Sequence, residues 1–313
     1  ILGGGDDILI ENSSFENNGS GTIFDHNIYV SNGNRIIIRG NDLYRSSLDG
    51  SGSCNGASLV GHGVMSDLLI EGNVVREDVG KANDACWGIA ITPAYAEAES
   101  FSNVTIRGNR VENVGNVAIG TASCQNCTIE NNVLIQNQGF GMTAVAVPAQ
   151  VPQAGDSISA NLIVRNNSIW TNTGTGIALN EGSGHAIVSN AIQATGSNAI
   201  WNCLDTTLAA SSYDVIDYNV CDFNMGEWAN TVGNLATWQG IGWGTNSITA
   251  DPGFVSGGDL RPEGETAVIV NAGHPTLSSL IDFNGAARPA PPSAGAYEWL
   301  ALSEKVYLPL TVR

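Results

Sequence analysis

Two sets of side chains in the first hundred residues could take and give protons. A β-elimination needs a base for the proton next to a carboxylate, and a cation or metal that stabilises the enolate. Lys81 or Arg76 could serve as that base, or as a clamp for the anion. Tyr29 and His62 provide a second acid/base possibility. The simpler interpretations are that Lys81 is a solvated loop charge and that His62 is a turn residue.

Carboxylates from the same stretch could hold a metal ion for this chemistry. The candidates are Asp49, Asp78 and Asp84, and Ca²⁺ prefers oxygen ligands of this kind. The hypothesis for a cofactor is therefore Ca²⁺.

Aromatic rings and a fixed positive charge suit a sugar-binding surface, because sugar rings present flat apolar faces. Arg45, Trp87, Phe140 and Trp201 are the candidate substrate-binding residues. By strand alternation Trp87 and Phe140 point inward and could instead fill the core. Tyr29 and Trp201 point outward but lie far apart along the chain.

The elements that must position these residues form a repeat. Eight segments share an aliphatic residue at the third place and, in all but the first, Asn at the sixth. The segments are Ile8–Phe15, Ile36–Leu43, Leu68–Val75, Val104–Val111, Cys127–Leu134, Leu162–Ile169, His185–Ile192 and Asp214–Cys221. Their spacing is irregular and has no helical period, which is typical of a parallel β-solenoid whose longer coils carry loop insertions.

Each coil is predicted to run strand, Asn turn, strand, variable loop, strand. Asn tolerates left-handed backbone geometry in a turn, and its amide can bond the Asn of the next coil to form a ladder. The fourth place alternates between Glu and Arg over the first six coils. Stacking would set these opposite charges side by side on the outer surface.

The long insertions before the last strand of a coil fall in the first three coils, at residues 16–25, 44–55 and 76–86. They predict a cleft near the N-terminal half. Alternation predicts that Asn27 faces outward on this strand and that His26 faces the core. An inverting glycosidase needs two carboxylates. None occupies the predicted outward positions, so hydrolysis is the less favoured reaction.

These segments resemble the parallel β-helix repeats of the pectate-lyase-like superfamily. Within them, the stretch from Asp25 to Asn32 resembles the "HGIYVSN" sequence of many secreted bacterial members. The resemblance implies an all-β fold, a right-handed parallel β-helix of about eight coils over residues 1–221. It also implies a secreted or cell-surface bacterial protein. It says less about the reaction, because that superfamily contains lyases, hydrolases, epimerases and non-catalytic surface proteins.

The repeat fades after residue 221. Residues 222–300 resemble the region that follows the helix in the same proteins, through Asp251 to Val255, Arg288-Pro289 and Gly295 to Glu298. We expect this region to cap the solenoid, since an open end exposes strand edges and core. Residues 301–313 are typical of one more covering strand or of a tail.

Charge and cysteine content limit the partners and the environment. With 30 acidic and 12 basic residues the net charge is −18, which argues against nucleic acid and anionic membranes. No apolar run is long enough to insert into a membrane. Six cysteines fit an oxidising compartment. The predicted pairs are Cys54–Cys86, Cys203–Cys221 and, as a local disulfide or two thiols, Cys124 and Cys127.

Two functions follow from these observations. The first is a protein that binds or acts on an extracellular polysaccharide, with a uronate polysaccharide lyase as the best-defined version and a glycoside hydrolase as a weaker one. The second is a non-catalytic structural or adhesive rod, which the neutral strand face and the strong acidity favour. Self-association is compatible with either function.

Overall fold

The computed structural model describes residues 2–149, 155–195, 202–222, 224–228 and 231–299. Its first fourteen strands are β1 (Leu2–Gly3), β2 (Leu9–Glu11), β3 (Ser14–Glu16), β4 (Ile28–Arg39), β5 (Asp42–Tyr44), β6 (Ala57–Glu71), β7 (Val74–Arg76), β8 (Trp87–Ile91), β9 (Ser100–Ser102), β10 (Thr105–Arg107), β11 (Arg110–Glu112), β12 (Val117–Thr121), β13 (Cys124–Gln125) and β14 (Thr128–Glu130).

The remaining elements continue in chain order: β15 (Val133–Gln136), β16 (Met142–Val147), β17 (Ile163–Arg165), β18 (Ser168–Thr171), β19 (Gly174–Leu179), β20 (His185–Val188), β21 (Ala191–Ala194), β22 (Asn202–Thr206), a 3₁₀ turn (Ala210–Ser212), β23 (Tyr213–Asp217), β24 (Val220–Cys221), β25 (Asn224–Trp228), β26 (Thr231–Gly233), α1 (Leu235–Gly240), β27 (Ile248–Thr249), β28 (Phe254–Ser256) and β29 (Asp259–Pro262).

The eight repeat segments stack on one another as parallel strands. Their third-place residues lie in register from coil to coil and are all buried: Ile10, Ile38, Ile70, Ile106, Ile129, Val164, Ile187 and Ile216. A side chain of this size contributes about 2 kcal/mol when fully buried, so this column stabilises every coil. Beyond the turn, β3, β5, β7, β11, β15, β18, β21, β24 and β27 form a second parallel sheet. The predicted all-β parallel helix of eight coils is confirmed.

The turn between the two sheets uses two successive places of the repeat. The fifth-place residues have left-handed backbone, with φ between 50° and 65°. They are Asn12, Gly40, Gly72, Gly108, Asn131, Asn166, Ser189 and Tyr218. The sixth-place Asn residues are not among the residues with positive φ. The expectation that these Asn residues supply the left-handed geometry is therefore wrong: the chain bends one residue earlier, where Gly and Asn both occur.

The sixth-place asparagines instead form the predicted ladder inside the coil. The Asn109 Nδ2 donates to the Oδ1 of Asn132, and the Asn132 Nδ2 donates to the Oδ1 of Asn167, both at 3.0 Å. The same rung pattern runs from Asn41 to Asn219. Because a buried amide without partners is costly, the ladder favours one register of the coils.

The fourth-place charges pair between neighbouring coils as predicted. The three ion pairs, at 2.6 to 2.7 Å, are Glu11–Arg39, Glu71–Arg107 and Glu130–Arg165. The Glu11–Arg39 and Glu71–Arg107 pairs are partly exposed and contribute less than about 1 kcal/mol each, whereas Glu130 is buried. Their main effect is therefore on register.

All three predicted cysteine pairs are disulfides. Cys54–Cys86 and Cys203–Cys221 join neighbouring coils, and Cys124–Cys127 is the local disulfide rather than two thiols. Such bonds are typical of proteins from oxidising compartments. No helix in the part of the chain that the structure describes could cross a bilayer.

The region after residue 221 does two different things. Trp238 of α1 and Trp243 are buried in the same core as the coils, so this first part packs onto the solenoid core. Residues further on lie along the side: Phe254 and Tyr297 pack with Val133 and other residues on the outer face of the second sheet. The repeat pattern contained no sign of this lateral packing. The tail predicted at 301–313 lies outside the described residues.

Candidate functional site

The strand after the variable loop does not alternate simply at its start. Ala118 and Ile119 are consecutive, and both are buried in the core. In the preceding coil, a Cβ built on Gly88 would meet the core side chain of Val111. Two successive residues therefore point inward here, and the residue before them faces outward.

This irregularity exchanges the predicted directions of three side chains. His26 and Trp87 line an open pocket on the outside of the coils, whereas Asn27 is fully buried and bonds Ser58. The expectations that His26 and Trp87 face the core and that Asn27 faces outward are wrong for this reason.

The pocket lies across the first three coils and has a volume of about 260 Å³. Its floor is apolar and comes from β6 and β8, and its rim comes from the first insertion. Among the described residues, no Asp, Glu, Lys or Arg lines the pocket. The lining residues are Ile23, Phe24, His26, Ala57, Val60, His62, Ala85, Trp87, Ala90, Thr92 and Ala94.

Both histidines of the pocket are held through Nδ1. The His26 Nδ1 lies 2.7 Å from the carbonyl of Ala57, and the His62 Nδ1 lies 2.6 Å from the carbonyl of Thr92. A carbonyl can only accept, so each Nδ1 carries a proton, and in the neutral form of either ring Nε2 is the acceptor. Burial lowers the pKa of His26, which keeps this ring neutral near pH 7.

Two tyrosines that are not among the pocket-lining residues pack against His62. The rings of Tyr29 and His62 meet edge to face with centroids 5.5 Å apart, and His62 contacts Tyr95 at 5.4 Å. The hydroxyls of Tyr29 and Tyr95 are hydrogen-bonded to each other. Burial is the main cause that raises the pKa of Tyr29, and the hydrogen bond with Tyr95 raises it further. The Tyr29 hydroxyl therefore stays protonated at neutral pH.

Glu99 fixes the loop that carries Tyr95. Its carboxylate is buried and accepts hydrogen bonds from the backbone N–H groups of Gly63, Ala94 and Tyr95. It also lies 4.0 Å from the Nδ1 of His62. Glu99 therefore helps to position His62 and Tyr95, the two residues that contact Tyr29, although it does not line the pocket.

The structure places Arg45, Arg76 and Asp78 in a separate cluster around Tyr44. The guanidinium carbons of Arg76 and Arg45 lie 4.2 and 4.6 Å from the ring centroid of Tyr44. Arg45 pairs with Asp78 at 2.8 Å, and Arg76 pairs with Asp42 at 3.0 Å. None of them lines the pocket, so the geometry does not bring them together with His62. Their roles as clamp or substrate contact stay predictions.

Lys81 also lies outside the pocket. Its Nζ is 3.5 Å from the carbonyl oxygen of Ser51 in the second insertion. Its role as a base stays a prediction.

The three candidate metal ligands do not converge. Asp78 accepts hydrogen bonds from Tyr44 and Arg45, and Asp49 accepts from Ser51 and Ser53 within its own loop. Among the described residues, Asp84 does not come together with Asp49 or Asp78 in a group of possible metal ligands. Among the described residues these three carboxylates do not form a shared Ca²⁺ site, and the role of Ca²⁺ stays a prediction.

The three aromatic candidates for substrate binding differ in their positions relative to the pocket. The Trp87 ring covers the strand face of the next coil, where a Cβ on Gly120 would lie 2.6 Å from its Cζ3. Phe140 is partly buried and is not among the pocket-lining residues. Trp201 lies outside the described residues.

Sequence reasoning missed Tyr95 and Glu99 altogether. Both lie in residues 92–99, a further insertion that follows β8 in the third coil. That insertion was the available signal, because it sits directly beside the predicted cleft.

Comparison with known protein families agrees with this architecture. A family model described as "right handed beta helix region" matches residues 1–202, which include every strand that lines the pocket. No curated protein matches the sequence. From the match and the stacked parallel coils, the chain belongs to the right-handed β-helix family.

Proposed function

We propose that this protein acts on an extracellular polysaccharide in the pocket of the first three coils, by β-elimination at a uronate residue. The supporting observation is that His62, which lines this pocket, contacts Tyr29 beside it, with ring centroids 5.5 Å apart. One ring offers a proton acceptor and the other a protonated hydroxyl. A β-elimination needs one of each.

In the proposed reaction the His62 Nε2 takes the proton from the carbon next to the uronate carboxyl. The released electron pair forms the double bond, and the bond from the neighbouring carbon to the glycosidic oxygen breaks. Tyr29, hydrogen-bonded to Tyr95, donates a proton to that oxygen. The proton on His62 then returns to the tyrosine pair, so the site is regenerated. His26 is a second neutral acceptor in the same pocket.

The charge of the site favours one form of the substrate. No Lys or Arg lines the pocket among the described residues, and the protein carries a net charge of −18. A free carboxylate would be repelled and its enolate would lack a cation. An esterified uronate has a more acidic α proton and carries no charge. We therefore expect the enzyme to prefer esterified polymers.

The test is the absorbance of the unsaturated uronate product, measured on methyl-esterified and de-esterified forms of the same polymers, with Ca²⁺ and with EDTA. We expect product from the esterified form in both. His62→Ala and Tyr29→Phe should each lower the rate by about 100-fold or more. His274→Gln is the matched control, since His274 lies in the C-terminal region against Tyr218. Absence of product from every polymer would reject the lyase proposal. EDTA-sensitive cleavage would instead support the Ca²⁺ hypothesis.

The second candidate is a non-catalytic surface or adhesive rod. It is favoured by the outward row beyond the pocket, where Gly120, Ala146 and Ala178 follow one another in register. The expectation that this face carries no carboxylate is wrong in the next coil, where Asp205 is in register with Ala178. Sedimentation and a polysaccharide-binding assay without product formation would support this alternative.

Hydrolysis remains the weaker enzyme proposal. Asp25, near the rim, accepts hydrogen bonds from Thr22 and Ser20, which lower its pKa to about 2. Glu99 is held by backbone N–H groups. New reducing ends without the unsaturated product would favour it.

A further inference from the structure

A second group of reactive side chains lies beside the pocket wall, outside the site described above. The Sγ atoms of Cys54 and Cys86 and a carboxylate oxygen of Glu77 all lie within 4.8 Å of one another. The three residues are 0, 0 and 5% exposed. They come from the second and third insertions, next to Ala57 and Ala85 of the pocket.

Glu77 is incompletely bonded in this place. Its Oε1 accepts a hydrogen bond from the Ser46 backbone N–H at 2.8 Å. Its Oε2 is buried and has no hydrogen-bond partner. An orphaned buried oxygen is unfavourable by about 1 to 3 kcal/mol. An oxygen in this state next to two sulfurs is a ligand available to a cation.

We propose that in the reduced chain Cys54, Cys86 and Glu77 form a binding site for a soft divalent cation, for which Zn²⁺ is the best fit. Two sulfur ligands and one oxygen suit Zn²⁺ better than Ca²⁺ or Mg²⁺. The Ser46 Oγ, 3.6 Å from the Cys54 Sγ, or a water supplies a fourth ligand.

The chemistry balances through a thiol reductant. A dithiol gives two electrons and two protons to the Cys54–Cys86 disulfide, and itself becomes a disulfide. Zn²⁺ then displaces the two thiol protons and forms two bonds to sulfur, of about 2.3 Å, and one to the Glu77 carboxylate, of about 2.0 Å. A small-molecule disulfide reverses this step: it takes two electrons from the two thiolates and two protons from solvent to become two thiols, while the Cys54–Cys86 bond re-forms and the ion is released.

The metal would do in the reduced chain what the disulfide does in the oxidised one. Every polypeptide is synthesised with reduced cysteines, and this bond joins two long insertions 32 residues apart in sequence. A bound Zn²⁺ would hold the same two insertions together before oxidation.

The experiment uses the full chain, reduced with a phosphine under anaerobic conditions and titrated with Co²⁺ as the spectroscopic probe. We expect one Co²⁺ per chain, a thiolate-to-cobalt charge-transfer band, tetrahedral d–d bands and displacement by Zn²⁺. Cys54→Ser/Cys86→Ser should abolish these bands. Cys124→Ser/Cys127→Ser is the matched control and should keep them. Glu77→Gln should weaken binding by about 10-fold or more.

Other outcomes overturn the proposal. It fails if the reduced chain shows no charge-transfer band, whether its far-ultraviolet circular dichroism is kept or lost. It also fails if Cys54→Ser/Cys86→Ser binds Co²⁺ as the parent does. Unchanged affinity in Glu77→Gln would remove the carboxylate from the site. The unreduced protein should show no band, which controls for adventitious surface binding.

Discussion

Replacement of Glu77 by Gln should remove a large part of the pH dependence of stability in the oxidised protein. Burial raises the pKa of the Glu77 carboxyl from 4.5 to about 7. The folded state therefore binds this proton more tightly than the unfolded state does. The group contributes stability that is fully present below about pH 4.5 and is lost as the pH rises through about 7.

The size of the effect follows from the shift. One pKa unit corresponds to about 1.4 kcal/mol, so a shift from 4.5 to about 7 corresponds to about 3 kcal/mol of free energy of unfolding. Gln has nearly the same shape and cannot ionise. Glu77→Gln should therefore match the parent at low pH and exceed its stability by up to about 3 kcal/mol above pH 8.

The assay is denaturant unfolding of the oxidised parent and Glu77→Gln, in EDTA, at a series of pH values from 4 to 9. Glu71→Gln is the matched control, since Glu71 sits in an exposed ion pair. Refutation would be a difference between parent and Glu77→Gln that stays constant over the whole range. That result would mean that Glu77 ionises alike in the folded and unfolded chain.

Three further substitutions test the fold. Asn132→Ala breaks the ladder and leaves neighbouring buried amide groups unpaired, so it should lower the free energy of unfolding by about 2 to 4 kcal/mol. Unchanged denaturation would contradict the ladder's role. Arg288→Met leaves Glu298 buried without its ion-pair partner, so the free energy of unfolding should fall by about 3 to 5 kcal/mol in the same assay. A fall of less than about 1 kcal/mol would count against this ion pair. Arg107→Ala breaks only the exposed pair with Glu71 and should change stability by less than about 1 kcal/mol, so a larger loss would show that the surface pairs do more than set register.

The coil could be predicted because its signals are local and repeat eight times. The third-place column, the Asn ladder and the Glu–Arg pairs each need only that identical places stack. The place of the left-handed turn could not be predicted in this way, because no single residue type marks it: Gly40 and Asn131 both occupy it. Cys54 and Cys86 could be paired because they precede equivalent strands in neighbouring coils.

The site could be predicted only in part, because it depends on deviations from the repeat. Two successive inward residues exchange the faces of His26 and Trp87, and strict alternation cannot anticipate that. Tyr95 reaches Tyr29 through an insertion whose path is set by buried hydrogen bonds to Glu99. The chain's lateral return along the second sheet likewise depends on contacts between residues more than a hundred positions apart.

A crystal structure of the protein with a methyl-esterified oligouronate would test the proposed site most directly. We predict a sugar ring between Trp87 and the His62–Tyr29 pair, with its α carbon within reach of the His62 Nε2 and its glycosidic oxygen next to the tyrosine hydroxyls. An oligosaccharide bound elsewhere on the coils, with this pocket left empty at saturating ligand, would contradict the account.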